Sequence, residues 1–429
     1  MKTFPTIVTG IFVALALGAV IIFATYSSSS QNTIGAITIW GTLPHSVFDE
    51  LLGELGKGNN DYTAVTYEVV PEVELVPRLV EAIASGKGPD LVVFPAKNLL
   101  SQADKLQPIS YSSIPRRDFQ NTFIQSGETF LRPSGIIGLP FTVDPLVMYW
   151  NRAIFDKAGI ANPPTYWDEI SAFTPKLTKA DKDATLIEST VAFGTWSNVT
   201  NAKEILLSLL NQLGDPVVAL NDKGVYQSVL SQGNGGPTSP ADSALRFYTD
   251  FSDPVKPAYS WNRSQPSSHD AFIAGTLAIY FGFASELSGL RAANPNLNFD
   301  VAQLPVVRGG GQGAYANVLA LSIPRGAANP SGALLVAESL TSLASQEILS
   351  GITRLPSVRR DVSPSNRADP YSVVFRNAAL NSFAFLDPDP SPSDAIFARM
   401  VDKVSSGKLQ VSEATQAADQ ELSALLGVQ

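Results

Sequence analysis

Four carboxylates, Asp90, Asp144, Asp270 and Glu286, stand in neighbourhoods from which an acid–base pair could be drawn. Two such groups flanking a glycosidic bond would hydrolyse it, one as acid and one as base or nucleophile. Nothing in their spacing sets the separation which that reaction needs. Ionised, the same groups are strong acceptors for the hydroxyls of a polyol, so noncovalent recognition is equally open to them. Other chemistries are closed. The chain has no Cys, which excludes disulfides, thiolate zinc sites, a Cys nucleophile and a lipid-modified Cys anchor. Its two histidines, His45 and His269, are far apart, and no G-x-S-x-G elbow accompanies them. Gly309 to Gly313 (GGGQG) lacks the Lys-Ser/Thr of a phosphate loop and reads as a flexible turn. Asp387-Pro388-Asp389-Pro390 lacks the Gly and Glu of a calcium loop, and Asp181-Lys182-Asp183 with Glu188 reads as solvated surface. No metal and no cofactor is expected.

The elements that must position such groups follow from composition and periodicity. The 429 residues suggest about two domains, and 45% apolar with 16% charged residues mark a globular chain. A net charge of −9 without a basic stripe argues against nucleic acid. Ala36 to Trp40 is a short apolar strand. Pro44 opens a helix to about Leu55, Thr63 to Val70 alternates like a strand, Val73 to Ala84 is an amphipathic helix closed by Gly86, and Asp90 to Phe94 is another strand. That order predicts a mainly parallel sheet flanked by helices. Ligands of such sheets bind beyond the carboxyl ends of the strands, which puts Thr42, Phe94, Lys97 and Asn98 at a rim. The competing reading makes Phe94 core and Lys97 a solvated charge. A loop with Pro140 leads into the strand Leu146 to Trp150. Asn151 caps the next helix, Gly159 ends it, and Pro163-Pro164 turns into a helix holding Trp167-Asp168-Glu169. Trp196, in FGTWSN, is either a stacking platform or core.

The stretch GLPFTVDPLVMYWNRAIFDKAGIANPPTYWDEI (138–170) resembles the crossover segment of the family 1 extracellular solute-binding proteins, the maltose/sugar-binding type of ABC importers. Three further matches follow in order. ITIWG with a helix ending in SGKGPDLVVF is similar to the family's first lobe. AFIAG, the strand Thr276 to Phe281, GFASEL and FDVAQLPV resemble its second-lobe unit. VLALSIPRGAANPSGALLVAESLTSLASQEILSGITRLPSVRRDV, with helices at 395–404 and 413–425, resembles its return and C-terminal part. The resemblance covers about Ala36 to Leu425. It implies a two-lobed α/β periplasmic-binding-protein-like fold (type II), with residues 36–140 and 304–352 in one lobe and 141–303 and 353–429 in the other. It implies a carbohydrate held noncovalently between the lobes, no catalysis, a monomer and an ABC permease as partner. Carried over by position, Thr42, Phe94, Lys97, Asn98, Asp144, Trp196, Phe281, Phe283 and Arg354 would bind the ligand. Asp144 would accept from ligand hydroxyls, or else only orient the crossover loop. The family's usual Trp is absent, since Ala284 and Ser285 stand where an indole is often found.

Thr6 to Tyr26 is uncharged and mostly apolar, long enough to span a bilayer of roughly 30 Å. It reads as an uncleaved membrane anchor (1–26). A cleaved signal near Ala24 and the serines 27 to 30 is the alternative. Residues 27–35 would be a polar tether. Lys2 would stay inside, leaving the binding domain extracytoplasmic. The rival reading from another class is an anchored polysaccharide hydrolase.

Overall fold

The computed structural model of the protein describes residues 34–57, 60–233, 238–364 and 369–427. The expected anchor, Thr6 to Tyr26, lies outside the described residues. Among those described, no helix is long and apolar enough to cross a membrane.

The chain opens with β1 (Ile37–Gly41), α1 (His45–Gly56), β2 (Val65–Val69), α2 (Glu72–Ser85) and β3 (Leu91–Pro95). Gly86 ends α2 in the left-handed region, φ 67°, where a side chain would be strained. Short helices α3 (Leu99–Gln102) and α4 (Arg116–Thr122) and the hairpin β4 (Leu131–Arg132)–β5 (Gly135–Ile136) lead to β6, Leu139–Asn151. Beyond it come α5 (Arg152–Lys157), α6 (Trp167–Leu177), β7 (Lys179–Ala180), β8 (Leu186–Val191), α7 (Ala202–Gln212), the hairpin β9 (Val218–Leu220)–β10 (Tyr226–Ser228), α8 (Pro240–Asp250), α9 (Ser268–Ile273), β11 (Leu277–Phe283), α10 (Leu287–Ala293) and β12 (Phe299–Ala302). The chain then returns through β13 (Ala316–Ser322), α11 (Pro330–Leu340) and α12 (Leu343–Thr353), and ends with α13 (Ser372–Leu380), α14 (Pro390–Ser405) and α15 (Val411–Leu425).

One nine-stranded sheet runs in the order β2-β1-β3-β13-β6-β11-β8-β7, with β12 also paired to β6. It is mixed, which corrects the expectation of a mainly parallel sheet. The pairs β1–β2, β1–β3 and β11–β8 are parallel, while β13 runs against β3 and β6, and β11 and β12 run against β6. The reason is β6 itself. As a single strand it feeds two half-sheets, and the chain that returns to each half must lie antiparallel to it.

Two hydrophobic clusters divide along this strand. Leu139, Phe141 and Val143 pack with β1, β3, β13 and α11, whereas Leu146 to Trp150 pack with β8, β11 and α7. The lobes therefore share one continuous backbone, and Asp144-Pro145 is the step between them. Pro140 sits where the β13–β6 register slips, between Leu319↔Thr142 and Ala320↔Pro140. A bulge tolerates a residue that cannot donate. The skipped Phe141 carbonyl accepts instead from Gln346 Nε2 at 3.1 Å.

Candidate ligand-binding cleft

The registers aim both half-sheets at the same place. In the first lobe β1 and β3 are parallel. Pro95, at the end of β3, pairs with Leu319, three residues from Ala316, which faces Pro145. In the second lobe β8 and β11 are parallel, and Phe283, at the end of β11, faces Leu146. The carboxyl ends of four parallel strands thus converge on the Asp144–Leu146 step from opposite sides. A crevice outside such ends is where an open α/β sheet takes its ligand.

Asp144 is half-buried, and its Oδ1 accepts from Ser285 N at 3.0 Å. Burial pushes its carboxyl up to about 6, although the Ser285 hydrogen bonds pull it down; the Glu286 charge adds to the rise. Glu286 is spoken for. It accepts from Phe283 N at 2.7 Å, Tyr280 hydroxyl at 2.5 Å and Asn201 Nδ2 at 3.3 Å. Gly282 makes this possible, because a Cβ there would lie 3.0 Å from both Glu286 carboxylate oxygens and 2.5 Å from the Tyr280 ring. Asp90 is committed in the same way, to Thr38 N and Asn329 N. Asp270 is exposed on the first turn of α9, beside His269.

Lys97 follows β3 and pairs with Glu72 at the start of α2. It also lies within electrostatic reach of Glu204, on the first turn of α7 in the other lobe. Burial raises the half-buried Glu204 carboxyl, and the Lys203 and Lys97 charges lower it. Glu204 and Glu72 both act on the buried Tyr315, the residue before β13. Sequence reading passed over Glu204, seeing only an apolar helix. An acid on the first turn of such a helix was the available, weak signal.

Of the residues expected at the site, Thr42, Lys97, Asn98, Asp144, Trp196 and Phe283 stand at or just beyond the converging strand ends, and all are half-buried. Phe283 meets Tyr315 edge-on at 6.2 Å. Two aromatics are placed otherwise. Phe94 is 0% exposed within the first-lobe core, and Phe281 is 2% exposed, stacked on Phe193 at 5.5 Å and against Trp167 at 5.2 Å. Both strands are covered on both faces, so only residues past the strand end reach the crevice. Arg354 caps α12 with φ 60° and lines a cavity of about 770 Å³ with Glu347, Asp369, Phe375 and Arg376.

Residues 51–372 match the sequence profile of the bacterial extracellular solute-binding protein family, and the chain belongs to that family. A binding protein of Brucella abortus (strain 2308) is 32% identical over 125 residues, 28% of this chain and 30% of that relative. The match thus spans less than a third of its length. Among solved structures, the cyclic α-maltosyl-1,6-maltose binding protein of Arthrobacter globiformis is similar over 91% of this chain and 98% of its own, with TM-score 0.74 and 18% identity. An ABC transporter solute-binding protein of Thermotoga lettingae, bound with α-D-tagatose, is similar over 92% and 100%, with TM-score 0.67 and 20% identity. These structural likenesses establish the two-lobed fold.

Proposed function

We propose that this solute-binding protein serves an ABC importer and takes a carbohydrate noncovalently in the cleft between its lobes. The observation that carries the reading is the convergence of four strand ends on Asp144. In this reading a charged acceptor, the half-buried Phe283 and Trp196, and polar groups from both lobes would line that crevice. Such a crevice, with aromatic faces for sugar rings and a few fixed polar groups for hydroxyls, suits a saccharide. Sugar ligands named for the structural neighbours support the choice. Thr42, Lys97, Asn98, Asp144, Trp196 and Phe283 are the residues proposed to touch the ligand, with Glu204 added from the opposite wall. Phe94 and Phe281 would act behind them as packing. A permease would read the closed form of a monomer held outside the membrane by the N-terminal segment.

A hydrolase is the weaker reading. Of the four carboxylates singled out in the sequence, Glu286 and Asp90 already accept two or more hydrogen bonds each and Asp270 is exposed on α9, which leaves Asp144 no partner among them. The deciding experiment is calorimetric titration with maltooligosaccharides, other oligosaccharides and monosaccharides, alongside an assay for new reducing ends. Reversible saturation without turnover is expected. Turnover, or no heat with any saccharide, would refute the proposal.

A further inference from the structure

At the foot of the β9–β10 hairpin, Asp215 is 3% exposed. Its Oδ1 accepts from Val217 N at 2.7 Å, while its buried Oδ2 has no hydrogen-bond partner. Holding Oδ1 in that bond places Val217 at φ 64°, a left-handed conformation that a β-branched residue adopts only under strain. The turn is otherwise firmly tied: Val218 N donates to the Pro216 carbonyl, and Val229 N to the Val217 carbonyl. A lone carboxylate oxygen in such a place is costly, and protonation alone would not relieve it, because a carboxyl O–H also needs an acceptor.

The charged group that acts on Asp215 is Asp419, on α15. Asp419 is docked on the same hairpin. Its Oδ1 accepts from the Ser228 hydroxyl and its Oδ2 from the Ser231 hydroxyl. Ser228 lies directly across the hairpin from Val218. Two carboxylates and two hydroxyls from three separate segments therefore gather at one hairpin foot, and among the described residues neither acid has a basic partner. Two like charges brought together in a poorly solvated place repel unless a cation or a proton intervenes.

We propose that Asp215 and Asp419, with the hydroxyls of Ser228 and Ser231, form a site for a hard divalent cation, calcium in the first instance. All the donors are oxygens, as calcium requires, and water completes a shell of about 6–8 ligands. The ion ties the hairpin to the C-terminal helix of the second lobe, a role independent of what the cleft binds.

The test is thermal unfolding of the full chain after chelator treatment, followed with calcium chloride or with potassium chloride at equal ionic strength. Calcium is expected to raise the melting temperature by several degrees, since an ion that binds only the folded state stabilises it by mass action; potassium is expected to leave it unchanged. Asp215→Asn and Asp419→Asn should abolish the calcium shift. Should either fail to fold, Ser231→Ala, which removes one neutral ligand, should weaken calcium binding several-fold in direct titration of the folded protein. Equal melting of the unaltered chain with and without calcium, or the same calcium shift in Asp215→Asn, would overturn the proposal.

Discussion

Asp144 sits where β6 passes between the lobes, and burial makes its charge expensive. Its carboxyl is raised to about 6, above the unfolded value of about 3.9. The folded state therefore binds the proton more tightly than the unfolded chain does. The resulting stabilisation is fully present below about pH 4 and is lost as pH rises through 6. Asp144→Asn should flatten that part of the stability–pH curve by up to about 3 kcal/mol. It should also weaken saccharide binding by about 1.5–3 kcal/mol, because the charge-assisted acceptor is gone. Chemical denaturation at pH 4 and 8, with calorimetry, reads both; unchanged affinity would reduce Asp144 to a positioning group. The two phenylalanines of β11 divide similarly. Phe281→Ala should cost about 3–5 kcal/mol of stability as a core truncation. Phe283→Ala should cost far less stability but lower affinity, and melting curves beside titrations separate the two. Sequence alone placed the pair side by side. It did not say which ring lay inside, because β11 is apolar on both faces and offers no alternation to read.

At the scale of elements, β6 was the least legible. Its second half was apparent as the run Leu146 to Trp150, but Pro140 and Pro145 made the first half look like loop. The structure absorbs Pro140 in a bulge and Pro145 at the lobe step, and neither accommodation leaves a local trace. By contrast the caps were legible, because they are local chemistry: Ile154 N donates to Asn151 Oδ1 at 3.2 Å, and Gly86 is left-handed. The mixed sheet escaped prediction because strand direction depends on partners more than a hundred residues away. The attachment of α7 to α14 was equally hidden. Lys203, 7% exposed, pairs with Asp387, 3% exposed, and with the Ser393 hydroxyl. Lys203→Ala should destabilise by about 3–5 kcal/mol, since it strands a buried carboxylate. Lys203→Met with Asp387→Leu should recover much of that loss. Denaturant titration of the single and double variants checks this, and a mild single-variant effect would mean that water reaches the pair.

For the whole molecule, the lobes touch away from the shared strand as well. The Arg132 guanidinium of the first lobe lies 5.8 Å from the Tyr226 ring of the second, with its buried Nη2 unbonded. Burial lowers the Arg132 pKa, so this contact is held at some cost and should yield when the lobes move. A saccharide that engages both walls should shift the population toward a more closed form. Small-angle scattering with and without saturating ligand should show a smaller radius of gyration, and Arg132→Ala should alter affinity without touching the crevice. An unchanged radius would indicate a rigid cleft. The strand order has a consequence for manufacture. β13, residues Ala316–Ser322, lies between β3 and β6, so the first lobe cannot close its sheet until some three-quarters of the polypeptide has emerged. Until then β3 and β6 present bare edges, and the nascent chain has no finished unit to lock in place. A protein that must be threaded unfolded through a membrane pore gains from that delay, because premature folding would jam its own export.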